Sequence, residues 1–340
     1  MARRRATVAL AVFVVLVLGA AGLAALGWRG LHAPLAIPTE GATLDVVSGT
    51  GFSRVTADLA ERGQLRNPRV LALYARFTGD ATRIRAGEYL LTPGMTPLTL
   101  LDKLVAGEVV LHQLTIVEGS RFADMLAALR AHPGIVASAL DGDAIMAALG
   151  APGVHPEGQF FPDTYRFPRG TAELEVLRSA HAALVTRLDA AWRNRDPAIT
   201  LRSEYDALVL ASIIEKETAL AAERPLIAGV FHRRLERNMR LQTDPTVIYG
   251  LGTAFDGNLR RQDLETDGPY NTYTRAGLPP TPIALPGQGS LEAAVAPVSG
   301  DAIYFVATGR DDGSHYFSAT LEEHERAVRE YLRQLRSREP

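Results

Sequence analysis

One stretch constrains the chain before any fold is considered: Thr7 to Trp28 carries no charge and consists mostly of Ala, Val and Leu. These twenty-two residues, at ~1.5 Å each, make a helix of ~33 Å, against a hydrocarbon core of about 30 Å. Arg3, Arg4 and Arg5 precede it, so the positive-inside rule keeps residues 1–6 in the cytoplasm. Trp28 falls at the far edge, where an interfacial aromatic belongs. The competing reading is a cleaved signal peptide, but the apolar region of such a peptide usually runs about 7–15 residues, and this one is longer. No later segment is apolar for long enough to cross again. The expected topology is single-pass: a cytoplasmic tail at 1–6, a span at 7–28 in the cell inner (cytoplasmic) membrane, and an extracytoplasmic or periplasmic body beyond.

That body is long enough to bury a core without staples. It contains no cysteine, which excludes thiol catalysis, Cys-ligated zinc and disulfides. Basic and acidic residues number 36 and 38, a near balance that gives no reason to expect nucleic acid as a partner. The eight His are scattered and His-Glu-x-x-His is absent, so no metal site is expected. No stretch calls for a cofactor. Gly49-Thr-Gly51 lacks the third Gly of a dinucleotide loop, and Gly287-Gln-Gly-Ser290 lacks the spacing of a nucleophile elbow.

Residues 29–43 contain Pro34, Pro38 and Gly41 without apolar periodicity, which predicts a spacer. Beyond it the sequence echoes itself. Val47, Gly49, Phe52, Ala57 and Leu59 are matched by Val117, Gly119, Phe122, Ala127 and Leu129 at a constant offset of 70. Each copy reads as a strand, a Gly turn and an amphipathic helix. A weaker echo pairs Tyr89–Gly94 with Tyr165–Gly170. Residues 44–110 read as a strand, helices at Ser53–Arg62 and Pro68–Thr78, a return strand at Gly87–Leu91 and a helix at Pro97–Ala106. This order resembles a LysM-like module, a resemblance that implies binding of glycans containing N-acetylglucosamine.

From Glu157 the character changes. Glu157-Gly-Gln-Phe-Phe-Pro-Asp-Thr-Tyr165 is a loop leading into a strand. Tyr205 to Thr218 is a helix apolar nearly all round, hence buried, yet it ends in Glu215-Lys-Glu217. Unpaired buried carboxylates are costly, so either both reach solvent or pair with Lys216, Arg224 or Arg233, or they do chemistry. Residues two apart on a helix point about 200° from each other. Glu217 continues the stripe of Ile213 and Ile214, whereas Glu215 follows the smaller, more polar Ala211 and Ser212. A carboxyl against aliphatics is desolvated and available as a general acid near neutral pH. This favours Glu217 as the acid and Glu215 as its polar support.

Downstream, the 240–250 and 270–280 stretches are dense in hydroxyls, amides and aromatic rings, groups that suit sugars and equally suit turns. Ser212-Ile-Ile-Glu-Lys-Glu-Thr218, Arg240-Leu-Gln-Thr-Asp-Pro-Thr-Val-Ile-Tyr-Gly250, Tyr270-Asn-Thr-Tyr273 and Gly277-Leu-Pro-Pro280 resemble the signature runs of the MltG (YceG-like) endolytic murein transglycosylases. The likeness covers nearly the whole chain. It implies an α+β fold with an N-terminal transmembrane helix, a small LysM-like α/β module and a larger α+β catalytic domain. The expected layout is the module at 44–110, a connecting α/β segment at 111–155 whose helices at about 120–150 belong to neither core, and the catalytic domain at 156–335.

The resemblance also implies cleavage of nascent peptidoglycan glycan strands beside the membrane during cell wall assembly, by one essential Glu. Glu217 would protonate the oxygen between N-acetylmuramic acid and N-acetylglucosamine and then take the C6 hydroxyl proton, giving a 1,6-anhydro end. Gln242, Thr243, Asp244, Tyr249, Asn271 and Tyr273 are the expected substrate-binding residues. Cell-wall synthases are the class of protein partner such a reading admits. A different class of protein, a membrane-tethered glycan-binding scaffold without turnover, shares the module and the sugar-suited loops; the Glu at the end of a buried helix favours the enzyme.

Overall fold

The computed structural model describes residues 2–336. The chain mixes helices with short strands and divides into two compact units: residues up to His112 with Phe167–Gly170, and Gln113–Arg166 with the residues from Thr171 on.

The first unit opens with helix α1 (Ala2–His32). Leu10–His32 within it is long and apolar enough to cross a membrane, with none of its apolar window buried in the protein. The helix runs past Trp28 to the end of the predicted spacer's first turn. Leu31 and Leu35 are buried in the core of this unit, with Ile37 packed beside them. The Leu35 N–H donates to the Met95 carbonyl at 2.8 Å and that of Ala36 to Gln64 at 3.0 Å. The expected spacer at 29–43 is thus corrected: its first half contributes Leu31 and Leu35 to the core. Prolines disrupt periodicity without preventing packing, so a sequence pattern tuned to periods misses these leucines.

The rest of the unit is a βααβ motif followed by a helix. Strand β1 (Ala42–Val46) leads to α2 (Phe52–Glu61) and α3 (Pro68–Thr78); strand β2 (Gly87–Leu91) then leads to α4 (Pro97–Ala106). The strands pair antiparallel with Leu44 opposite Tyr89 and Val46 opposite Gly87. Alternation turns Leu44, Val46, Tyr89 and Leu91 inward onto Leu59, Leu71, Leu100 and Leu104. Helix α4 is bounded by chemistry its sequence announces: Thr96 caps its start with Pro97 in the first turn, and Gly107 ends it at φ 72°.

The second unit begins with β3 (Leu111–Thr115), which crosses from the first, and continues through α5 (Phe122–Ala131), β4 (Ile135–Val136) and α6 (Gly142–Ala148). Strands β5 (Thr164–Pro168) and β6 (Thr171–Ala172) precede α7 (Glu173–Arg193). The segment expected to belong to neither core is part of this unit. Phe122, Met125 and Leu129 are buried, Phe122 stacks on Phe160 with centroids 5.4 Å apart, and Arg130 pairs with buried Glu173 at 2.9 Å. The unit therefore starts near 113 rather than 156. An amphipathic helix must cover its apolar face against something, and here the neighbour is the loop around Phe160.

The sequence echoes have physical counterparts. Gly49 and Gly119 both take left-handed conformations, φ 84° and 76°. In each turn the residue after Gly bonds back to the Val carbonyl, Thr50 to Val47 and Ser120 to Val117. The helices then start at Phe52 and Phe122. In the weaker echo, the Tyr89 hydroxyl donates to the carbonyl four residues back, Arg85, at 2.7 Å, and the Tyr165 hydroxyl does the same to Phe161 at 2.8 Å.

The core of the second unit surrounds α8 (Glu204–Glu217), followed by α9 (Arg224–Glu236), α10 (Asp244–Leu251), α11 (Arg261–Glu265) and α12 (Gln288–Val295). Hairpin strands β7 (Tyr304–Ala307) and β8 (His315–Ser318) lead to α13 (Leu321–Arg336). Ser203 caps α8 by accepting from the Asp206 N–H. Residues 207–214 of that helix are all buried, with Leu208, Leu210, Ile213 and Ile214 packed with Leu184, Ile227, Phe231 and Leu291. Ser212 is satisfied inside this core, donating to the Val209 carbonyl and accepting from the Ile283 N–H.

The corrected boundary of the first unit is testable by truncation. A chain beginning at residue 30 keeps Leu31 and Leu35, whereas one beginning at Ala42 loses both. A buried leucine is worth about 1.5–3 kcal/mol, so calorimetry should find the first unit of the shorter chain melting well below that of the longer one.

Candidate active site

Glu217 is the last residue of α8, and Thr218 leaves the helix in an extended conformation. The side chain is only partly exposed at the surface, and the protein closes around its carboxyl. Burial raises this carboxyl from 4.5 to about 7. The hydrogen bond donated by the Thr243 hydroxyl opposes the rise, the nearby Asp244 adds to it, and Arg234 opposes it. The negative end of the α8 dipole also disfavours the anion.

The Thr243 hydroxyl is held by a strap in which Leu241 and Thr243 are buried. Arg234 of α9, itself buried, donates through Nη1 to the Leu241 carbonyl at 2.6 Å and through Nε to the Ile303 carbonyl at 2.7 Å. Gln242 then takes a left-handed conformation, φ 51°, and its N–H donates to the Thr272 carbonyl at 3.1 Å. The Thr243 N–H donates to the Thr272 hydroxyl at 3.0 Å, and Thr246 closes the knot by donating to the Thr243 carbonyl at 2.8 Å. Helix α10 starts one residue later, with Pro245 in its first turn. Asp244, exposed at that start, accepts from the Tyr273 hydroxyl at 2.5 Å. Burial, followed by the hydrogen bond to Asp244 and then its charge, pushes this phenol up, so it stays a donor.

Of the predicted site residues, Glu217, Thr243, Asp244 and Tyr273 therefore gather in one place, with Gln242 exposed on the adjoining strap. Asn271 is engaged elsewhere: its amide nitrogen donates to the carbonyls of Asp263, Leu264 and Thr266, and its oxygen accepts from the Tyr273 N–H. It shapes the loop that presents Tyr273. Tyr249 turns to another partner, donating to Glu157 at 3.2 Å under the guanidinium of Arg121.

Glu215 diverges from Glu217 as the helix requires. Its Oε2 accepts from the Ser290 hydroxyl at 2.7 Å and the Gly287 N–H at 3.0 Å, while Oε1 lies 3.4 Å from Arg224. Lys216 instead donates to the Gly119 carbonyl at 3.1 Å. Glu215 is thus a tie between α8, α9 and the start of α12. Sequence reasoning did not single out Arg234, Thr272 or Ser290. A run of small polar residues and one arginine among many gives no pattern; only Gly287–Ser290 stood out, for a chemistry it does not perform.

The arrangement can take part in acid–base chemistry, with one carboxyl poised near neutrality, a hydroxyl anchoring it, and a second carboxylate and a phenol beside it. Residues 44–330 match the YceG-like family, and the chain belongs to it. It is 32% identical over 313 residues to the endolytic murein transglycosylase of Bacillus subtilis (strain 168), covering 85% of this chain and 84% of that one. A relative of the same name from Streptococcus pneumoniae serotype 2 (strain D39 / NCTC 7466) is 27% identical over 325 residues, and the match spans 58% of its length. The 2.6 Å crystal structure of a YceG-like protein from Listeria monocytogenes superposes with a TM-score of 0.55 at 30% identity, covering 85% of this chain and 99% of that one.

The raised acidity of Glu217 has a consequence for stability. The native state keeps a proton that the unfolded chain releases between about pH 4.5 and 7. The stability this contributes is fully present below the lower value and lost as pH rises through the upper one. Glu217→Gln cannot ionise, so its melting temperature relative to the unsubstituted protein should be higher at about pH 8 than at about pH 4.

Proposed function

We propose that this chain is a membrane-anchored endolytic lytic transglycosylase that cleaves the β-1,4 bond between N-acetylmuramic acid and N-acetylglucosamine in nascent peptidoglycan strands. The observation that carries the reading is Glu217: a carboxyl raised to about 7 by burial is protonated often enough to act as an acid and ionised readily enough to act next as a base. In the first step its proton passes to the glycosidic oxygen as the C1–O bond breaks. In the second, the carboxylate takes the proton of the C6 hydroxyl while O6 bonds to C1, leaving a 1,6-anhydro end and a regenerated acid. No water is consumed. Thr243 holds Oε1 of the acid, leaving Oε2 for the proton. Asp244, fixed by Tyr273, offsets positive charge developing at C1. Gln242 and Tyr273 orient the sugar from the strap and the facing loop, while Asn271 serves by shaping that loop. Glu215 supports the helix end that carries the acid.

The other parts suit this task. Helix α1, with its apolar Leu10–His32 segment, anchors the chain once in the inner membrane with its N-terminus in the cytoplasm. The βααβ motif of the first unit suits a LysM-like, glycan-binding role. A cavity of about 420 Å³ opens there, beside Val47, Ser48, Gly87, Glu88 and Arg169. A periplasmic or otherwise extracytoplasmic body tethered in this way meets glycan strands as they leave the membrane, where cell-wall synthases work.

The test is a digest of isolated peptidoglycan by the full-length protein in detergent micelles, read by mass spectrometry. Products with 1,6-anhydro ends are expected, and Glu217→Gln should reduce their formation roughly 10²–10⁴-fold, near the upper end since one group serves twice. Glu215→Gln should be milder. Reducing ends in place of anhydro ends would make Glu217 and Asp244 a hydrolase pair; binding without products would leave a tethered scaffold.

A further inference from the structure

Glu157 is 4% exposed and takes no part in the steps above. An acid in the interior costs more than an apolar residue of the same size unless its bonds accomplish something. Its Oε1 accepts from the Phe122 N–H at 2.9 Å, at the first residue of α5, and its Oε2 accepts from the Tyr249 hydroxyl at 3.2 Å. Gly158 adds a backbone N–H. Tyr249 lies on α10, the helix that carries Thr243 at its N-cap and Asp244 as its first residue. The neighbouring Arg121 reinforces the hold, with its guanidinium 5.2 Å from the Tyr249 ring centre and Nη2 donating to the Ile248 carbonyl at 3.3 Å.

We infer that Glu157 is a positioning residue for Glu217, acting through Tyr249 to fix the tilt of α10 and so the placement of Thr243 and Asp244 against the acid. This rests on the reading of Glu217 as the acid. Helix α10 has eight residues, and Tyr249 stands about one and two-thirds turns beyond its N-cap, Thr243. A short helix moves as a rigid body, so a slip at the Tyr249 end is felt at the Thr243 end. The strap at Thr246 and Thr272 pins one end; Glu157 and Arg121 pin the other. A merely structural role for Glu157, capping α5 through Phe122, is separable, because the bond to Tyr249 uses the other oxygen.

Tyr249→Phe leaves the α5 cap intact and removes the hydrogen bonds of the Tyr249 hydroxyl, to Glu157 and to Thr281; paired with Glu157→Leu, which spares Thr281, it isolates the link to α10. In the full-length protein in detergent micelles, kcat for peptidoglycan cleavage should fall about tenfold with KM within about twofold. The charged and titratable groups around Glu217 are Asp244 from α10, Arg234 from α9 and Tyr273 from the facing loop. Loosening α10 weakens first the Thr243 bond that favours the ionised form, so the high-pH limb of activity should move up by about half a pH unit. Glu157→Leu should reproduce both effects. Glu157→Gln should retain most of the rate, since its oxygen still accepts from Phe122 and its amide can donate to the Tyr249 hydroxyl.

Carbon NMR of the glutamate carboxyls, with the Glu217 signal identified by its loss in Glu217→Gln, reads the same titration without turnover. An unmoved Glu217 titration and an unchanged kcat in Tyr249→Phe would overturn the inference. A moved titration in a protein that yields no anhydro product would uphold the positioning and overturn the reaction.

Discussion

The burial of α8 is the constraint on which the second unit depends. A helix covered on all sides by α7, α9 and α12 has only its ends available for chemistry, and its C-terminal end is the one that disfavours a negative charge. Placing a carboxylic acid there, with Ile213 and Ile214 one turn behind, raises its pKa without any special device. The threonine strap works against that rise just enough to leave the group near neutrality. The site is therefore a balance between an apolar core that neutralises the acid and a polar knot that restores part of its acidity.

The Glu-Lys-Glu ending shows how one helical turn serves three directions. Glu217 meets the strap, Glu215 meets Ser290, Gly287 and Arg224, and Lys216 meets the Gly119 carbonyl. The last contact brings in the turn that the sequence repeats at an offset of 70 residues. Its first copy, around Gly49, belongs to the βααβ unit; its second lies against the helix end that carries the acid. The same local turn chemistry, a left-handed Gly followed by a bond back to Val, thus serves two different surroundings. The shared Tyr-to-carbonyl bond of Tyr89 and Tyr165 extends the likeness to the closing strand.

Much of this was legible in the residues. Local signals suffice where local physics decides: the uncharged run of α1, the βααβ order with its Pro and Gly boundaries, and the buried character of α8. The opposed directions of Glu215 and Glu217 follow from helical periodicity alone. The motif runs lie on the strap and the loop beside Glu217, and the family match agrees with the resemblance those runs carried. The failures share a cause. Leu31 and Leu35 lie among prolines, and the amphipathic pattern of α5 names no partner along the chain, so nothing local announced that the first pair closes one core and the helix joins another.

The sequence by itself determined the helices of the first unit, the buried character of α8 and which residue types stand at its end, because these depend on neighbours within a few positions along the chain. Only the tertiary structure decided what each polar group touches. Asn271 spends its amide on loop carbonyls, Tyr249 turns to Glu157, and the buried Arg234 orients a strap seven residues ahead of it. A hydrogen bond is fixed by positions in space that long-range packing sets, and a polar residue in a sequence carries no mark of which partner the fold will bring to it.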